Sequence, residues 1–307
     1  MNTWANWIAV DWGTSNLRLW AIDTQGQVRI ERDSDQGMGR LTPNQFEAVL
    51  LTLCEGLLDP ARTTPVLICG MAGARQGWAE APYLSVPVAL SALGAGGITP
   101  LVTSPLIAVR ILPGLSQATP ADVMRGEETQ IAGFAALHPE FDGTLCLPGT
   151  HSKWVSLAQG SVSGFRTVMT GEMFALLSEH SVLRHSVGRD LAGDDLDEIA
   201  FIEGVRQAWR APDATFATLF ALRAESLLYA TPPATLRARL SGLLIGMELA
   251  ATRDFWEGQK VALIGAGSLT ALYARALSEI GAVPQIEDGR DLALRGLCAA
   301  YPHMFEP

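Results

Sequence analysis

The feature that most constrains this chain is a hairpin that it spells twice. Residues 7–20, WIAVDWGTSNLRLW, run an apolar strand into Asp11 and a tight polar turn of Gly13, Thr14, Ser15 and Asn16, and leave through Leu17, Leu19 and Trp20. Residues 144–157, TLCLPGTHSKWVSL, repeat the pattern: an apolar strand, a Gly149-Thr150 turn, then His151, Ser152, Lys153 and a strand carrying Trp154. The two Gly-Thr pairs stand 136 residues apart (13 to 149), a little under half of the 307-residue chain, which predicts one such hairpin per half. A carboxylate at a buried strand end needs a partner, because a lone buried charge is expensive, and a metal ion supplies one. Glycine and hydroxyl residues let N–H and O–H groups converge on an anion. Asp11 and its turn thus read as a seat for Mg²⁺ and a nucleotide phosphate. From the first stretch alone, an ordinary hairpin with polar turn residues explains as much; the second copy favours the phosphate reading. Pro148 replaces the acidic position in the second hairpin, so a metal carboxylate is expected only in the first.

Composition narrows the partners. With 48% hydrophobic residues the chain is globular and long enough for two domains. The net charge of −10, with no basic block, excludes nucleic acid or an anionic membrane as the main partner, while leaving room for an anionic small molecule held by a few arginines. Cys54, Cys69, Cys146 and Cys298 are widely spaced without a C-x-x-C, as expected of free thiols in a reducing cytoplasm. Asp11 interrupts the first apolar run and no basic segment precedes it, which argues against a signal peptide. Residues 240–251 are too few to span a bilayer and include Glu248. A cytoplasmic location follows as an expectation.

Along the chain, residues 27–31 predict a third strand, and Thr42-Pro43 opens a helix with an apolar face of Phe46, Val49, Leu50 and Leu53. Residues 65–69 predict a fourth strand, followed by the loop GMAGARQGWAEAPY and a strand over 106–112. Residues 122–137 read as a helix linking the halves. Three strands then repeat the opening, helices are expected over 171–183, 195–210, 216–228 and 234–252, and strands over 261–264 and 285–287 each precede a helix. This order is similar to the ribonuclease-H-like domain duplicated in the acetate and sugar kinase/Hsp70/actin superfamily. The expected fold is therefore α/β, two ribonuclease-H-like (actin-like ATPase) domains flanking a nucleotide cleft, over residues 1–120 and 121–307.

Gly265-x-Gly267 after a strand raises the alternative of a nicotinamide oxidoreductase, with Asp288 as the ribose ligand. Thr270 at the third fingerprint position and the short remainder of the chain weigh against it. The turn, with Ser268, instead resembles the adenosine-binding turn of the kinase superfamily. Residues 124–130, MRGEETQ, stand where its sugar kinases carry the general base, so Glu127 is the first choice and Glu128 the second. A sugar hydroxyl is a weak nucleophile, and a carboxylate within reach takes its proton as it attacks. In the Gly-rich loop, Arg75 suits a substrate carboxylate, and Gln76, Trp78 and Tyr83 suit the hydroxyls and face of a small sugar. The five histidines lack metal-ligand spacing, and only His151, in the second phosphate turn, stands out.

Together DWGTSNLRLW, CGMAGARQGW, DVMRGEETQ, LPGTHSKW and MTGEMFALLSEHSVL resemble the 2-dehydro-3-deoxygalactonokinase family over nearly the whole chain. The resemblance implies Mg²⁺- and ATP-dependent phosphorylation of the 6-hydroxyl of 2-dehydro-3-deoxy-D-galactonate in galactonate breakdown. It implies Asp11 at the metal, both Gly-Thr turns at the phosphates, and Arg18, Arg75, Gln76, Trp78, Tyr83 and Arg125 at the sugar acid. The partners are then a sugar acid and ATP, with a homodimer left open. The alternative on the same fold is a nucleotide-dependent activator or sensor without a metabolite substrate.

Overall fold

The computed structural model describes residues 4–188 and 196–305. They form two compact units. The first holds residues 4–142, 157–164 and 288–305, and the second holds 143–156, 165–188 and 196–287.

The first unit is built on β1 (Trp7–Trp12), which pairs antiparallel with β2 (Leu17–Ile22); β2 in turn pairs with β3 (Val28–Ser34). Thr42 caps the turn before α1 (Phe46–Leu53) through a reciprocal Thr42–Gln45 capping box. β4 (Thr64–Gly70) lies parallel to β1 on its other side, and the later β7 (Ile107–Ile111) lies parallel to β4. The sheet order β3-β2-β1-β4-β7 is that of a ribonuclease-H-like domain. Strand alternation divides β1 between two cores. Ile8, Val10 and Trp12 meet Phe46 and Leu50 of α1, while Trp7 and Ala9 lie on the opposite side with Leu67 and Cys69 of β4. Asp11 shares the parity of Trp7 and Ala9, so it points to the Cys69 side.

Between β4 and the end of β7 the chain adds β5 (Tyr83–Ser85) and β6 (Val88–Ala89). β8 (Gly114–Ala118) and β9 (Ala121–Met124) follow, and β5, β8 and β9 form a small sheet. The helix expected from residue 122 begins later, as α2 (Glu127–Leu137). Gly126 has φ +107°, a left-handed value that no helix interior accepts, so it breaks the strand β9 from the helix and leaves Glu127 as the first helical residue.

The second unit repeats the plan. β10 (Gly143–Leu147), β11 (Ser152–Ala158) and β12 (Ser161–Val168) are followed by α3 (Thr170–Ala175), α4 (Glu198–Arg210), α5 (Pro212–Tyr229), α6 (Pro233–Ala251) and α7 (Arg253–Trp256). β13 (Val261–Ile264), α8 (Gly267–Glu279) and β14 (Gln285–Glu287) complete it, with strand order β14-β13-β10-β11-β12. The expected helix start at 195 lies outside the described residues. The tip of the β11–β12 hairpin belongs to the first unit, where Ser161 and Val162 pair with Ala89 and Val88 of β6. The chain returns to the first unit with α9 (Gly289–Ala300) and α10 (Pro302–Phe305); Leu297 and Ala300 of α9 pack on the Trp7 side of the sheet. Asp288, the ribose ligand of the nicotinamide alternative, is the N-cap of α9: its carboxylate accepts from the Arg290 N–H at 2.8 Å, which supplies a structural reason for an acid at that position. Among the described residues no helix is long and apolar enough to cross a membrane.

Candidate active site

In the first unit the carboxyl ends of β1 and β4 and the start of α2 meet. Asp11 sits beside Cys69 across the parallel pair, with the Cys69 thiol 3.8 Å from Oδ1, and opposite Arg18 across the antiparallel pair. Gly70 lies next to them at φ +87°. A Cβ there would stand 2.7 Å from the Trp12 carbonyl oxygen and 3.5 Å from Asp11 Oδ1, so glycine keeps this approach open. A Cβ on Gly126 would in turn reach the Gly70 Cα at 3.4 Å. The head of α2 is thereby carried to the Asp11 strand end. Burial raises the Asp11 pKa, Arg18 opposes that, and the Glu127 charge raises it again. A cation between these acids would relieve both effects.

The two glutamates part company here. Glu128 is 1% exposed; its Oε2 accepts from the Gly126 N–H at 2.7 Å and its Oε1 from the Thr129 hydroxyl at 3.1 Å. Burial, with Glu127 next to it, pushes its pKa up to about 8. Glu127 is only partly buried, and its Oε2 accepts from the Arg125 N–H at 3.1 Å. Glu128 therefore ties the helix start down from inside, while Glu127 lies nearer the surface.

The turn of Thr14, Ser15 and Asn16 is exposed and closed by the Gly13 N–H donating to the Asn16 carbonyl at 2.8 Å. Met38 and Gly39 brace it from behind through N–H bonds to Gly13 and Thr14, an approach that any side chain on Gly37 would block. Gly37 is a site-supporting residue that sequence reasoning missed; a lone glycine in a loop carries no signal of its own.

The Gly-rich loop places its residues unequally. Arg75 is exposed and paired with Glu80 at 3.3 Å, and Gln76 is exposed beside it. Trp78 packs against Trp12 and Phe46, with centroids 6.4 and 6.1 Å away, so much of its ring belongs to the core rather than to a sugar. Tyr83 lies under the Arg125 guanidinium, whose Cζ is 4.2 Å from the ring centroid, and Arg125 Nη2 donates to the Ala81 carbonyl at 2.8 Å. Arg18 is half-exposed and 3.6 Å from Asp33.

In the second unit Gly149, Thr150 and His151 turn outward against the start of α3. A Cβ on Gly171 would lie 2.4 Å from the Gly149 carbonyl oxygen, and the His151 Nε2–Glu172 distance is 2.6 Å. Ser152 and Lys153 are buried. The Ser152 hydroxyl is 2.8 Å from the Tyr273 hydroxyl, which donates to Glu248 at 2.6 Å, and Trp154 Nε1 donates to the same carboxylate at 2.7 Å. Burial raises the Glu248 pKa despite these donors. Ser152 is thus part of an internal network, and the outward donors of this turn are Gly149, Thr150 and His151. Glu248 and Tyr273 are a hundred residues from the hairpin they hold, too far for sequence spacing to reveal them.

Gly265 and Gly267 take φ +157° and +74°, and Gly267 and Ser268 are exposed at the start of α8. A Cβ on Gly265 would strike the Thr270 hydroxyl at 2.6 Å. Beside Ser268 opens a cavity of about 560 Å³, walled by Phe174, Arg237, Ser241 and Leu272 among others. It is of the size that a nucleoside needs.

Duplicated ribonuclease-H-like sheets, each opening on a Gly-Thr hairpin, with Asp11 and Glu127 at the strand ends of one and a nucleoside-sized cavity in the other, define a kinase of the actin-like ATPase fold. The sequence profile of the 2-keto-3-deoxy-galactonokinase family matches residues 11–300. A Rhizobium meliloti protein named probable 2-dehydro-3-deoxygalactonokinase DgoK1 is 42% identical over 307 residues, covering 98% of both chains. The Escherichia coli 2-dehydro-3-deoxygalactonokinase is 39% identical over 90% of this chain and 91% of its own. A crystal structure from Sinorhizobium meliloti, of a candidate 2-dehydro-3-deoxygalactonokinase, superposes with a TM-score of 0.90 at 40% identity, over 98% of this chain and all of that one. The chain belongs to the 2-keto-3-deoxy-galactonokinase family.

Proposed function

We propose that this protein transfers the γ-phosphoryl group of ATP to the 6-hydroxyl of 2-dehydro-3-deoxygalactonate, giving 2-dehydro-3-deoxy-6-phosphogalactonate. The observation that carries the reading is the approach of Asp11, Gly70 and the Gly126-Glu127 helix start in one unit. Glu127 orients the sugar hydroxyl and accepts its proton as the oxygen attacks. Glu127 is the first residue of α2, where the unpaired N–H groups and the helix dipole present positive charge. The exposed turns at Gly13, Thr14, Ser15 and Asn16 and at Gly149, Thr150 and His151 offer donors to phosphate oxygens. Gly265, Gly267, Ser268 and the adjoining cavity suit the adenosine. The chemistry asked of the protein is chiefly positioning and charge neutralisation.

Among the described residues no group of three His, Cys, Asp or Glu side chains stands ready to hold a metal. One carboxylate beside a phosphate turn nevertheless fits Mg²⁺, which keeps most of its waters and takes one or two carboxylates plus phosphate oxygens. Asp11 is that carboxylate, and the ion would neutralise charge on the transferring group. The four free thiols suit a reducing, cytoplasmic setting.

A coupled ADP-release assay over a panel of 2-keto-3-deoxy sugar acids tests the function. Rapid turnover with the galactonate-derived acid is expected, and Asp11→Asn should abolish it while the melting temperature stays within a few degrees of wild type. ADP release that needs no sugar acid would turn the reading toward an activator or sensor, and full activity of Asp11→Asn would remove Asp11 from the metal.

A further inference from the structure

Arg125 is the one charged side chain among the described residues whose buried nitrogens meet no acceptor. Nη2 is used by the Ala81 carbonyl, and the Tyr83 ring lies against the guanidinium plane, but Nε and Nη1 are enclosed and unpartnered. The two unpartnered nitrogens carry three N–H bonds, one on Nε and two on Nη1. A permanently charged group is not normally left so, because each buried donor without an acceptor forfeits the water it gave up. Gly73 borders the same nitrogen: a Cβ there would stand 2.9 Å from Nη1, 3.0 Å from the Ala81 Cβ and 3.1 Å from the Ile111 Cγ2. Arg125 also lies next to the catalytic end of the unit, since its own N–H donates to Glu127 across Gly126. Arg75, the other arginine of this region, is exposed and already paired with Glu80.

We propose that Arg125, held flat by Tyr83 and Ala81, is the anchor for the carboxylate of the acceptor, and that it rather than Arg75 makes this enzyme select acids over neutral sugars. This rests on the sugar-acid kinase reading given above. A carboxylate is acceptor-only and supplies two oxygens to the N–H bonds that the fold leaves unused. The carboxylate at C1 and the hydroxyl at C6 are opposite ends of the acceptor, which suits an anchor and a base on either side of Gly126. Arginine is the residue for this task because its charge is permanent and its plane can be set by an aromatic ring; lysine keeps the charge and loses the geometry.

The test compares kcat/KM for 2-dehydro-3-deoxygalactonate with that for its C1 amide, which keeps the sugar and loses the charge. Wild type should strongly prefer the acid. Arg125→Gln should lower kcat/KM for the acid by about 10- to 150-fold, the span of a lost charged hydrogen bond. It should scarcely change turnover of the amide or the KM for ATP, so that the preference collapses. Arg125→Lys should keep part of the preference, and it serves for the same comparison if Arg125→Gln fails to fold. Arg75→Ala should leave the preference intact. A preference unchanged in both Arg125 variants, or one that collapses in Arg75→Ala instead, overturns the assignment. Wild-type protein that turns over no 2-keto-3-deoxy acid at all overturns the functional reading, and this anchor with it.

Discussion

Burial pushes the Glu128 pKa up to about 8, and a perturbed carboxyl in a kinase site invites a catalytic role. Its surroundings argue otherwise. Each of its oxygens accepts from a group of its own helix start, and the side chain is 1% exposed, as suits a carboxyl that holds the helix in place. Glu127 is only partly buried and follows directly on Gly126, the positive-φ residue that approaches Gly70. We therefore expect Glu127→Gln to cut kcat by about 10²–10⁴-fold with little change in either KM, and Glu128→Gln to cost far less in kcat, measured at saturating sugar acid. A dead Glu128→Gln beside a near-normal Glu127→Gln would reverse the assignment. The same residue makes a pH prediction. Because its folded pKa is about 8 against an ordinary 4.5, the folded state holds a proton that the unfolded chain releases. Its contribution to stability is complete below about pH 4.5 and is lost as pH rises toward 8; Asp11, also raised by burial, acts in the same sense. Glu128→Gln should flatten the decline of Tm between pH 5 and 8, and a decline as steep as in wild type would show that another group drives it.

At the scale of elements, helices are pressed together through glycine in both units. In the first, a Cβ on Gly133 of α2 would lie 1.9 Å from the Leu292 carbonyl oxygen of α9, and one on Gly296 of α9 would lie 1.9 Å from the Thr129 carbonyl oxygen. In the second, Gly242 of α6 meets the Phe201 carbonyl oxygen of α4 at 2.0 Å by the same measure. Backbone against backbone leaves nothing flexible to yield. In a free helix Gly→Ala stabilises by about 1 kcal/mol. Here the sign should invert: Gly133→Ala is expected to destabilise by about 1–3 kcal/mol or more through overpacking, read as a lower Tm. Because α2 begins with Glu127 and Glu128, kcat should fall as well. A raised Tm would mean that the two helices separate at no cost.

At the scale of the molecule, the roles proposed for the substrate and the nucleotide fall in different units. Asp11, Glu127 and Arg125 lie in the first, and the large cavity beside Ser268 lies in the second. Substitutions in the cavity should therefore act on the nucleotide alone. Ser241→Trp, which fills it from α6, should raise the KM for ATP and remove the rise in Tm that ATP gives wild type by mass action, while leaving the KM for the sugar acid unchanged. An ATP-dependent rise in Tm that survives this substitution would put the adenosine elsewhere.

The sequence by itself determined the central strands, the doubled hairpin and the identity of the acids, because strand alternation, glycine turns and a carboxylate at a strand end are local patterns. It also carried the family, since those patterns recur in the expected order along the whole chain. What it could not decide was the setting of each polar side chain. That Glu128 is sealed and Glu127 is not depends on φ at Gly126 and on the short hairpin of β8 and β9, which stands where periodicity predicts the first turn of a helix. That Arg125 is held by a carbonyl at Ala81 and a ring at Tyr83, more than forty residues upstream, with Nε and Nη1 left unpartnered, while Arg75 pairs with Glu80 at the surface, is decided by packing. That Ser152 turns inward depends on Tyr273 and Glu248. Burial and hydrogen-bond partnership are sums over neighbours brought together by folding, and only the tertiary structure supplies the neighbours.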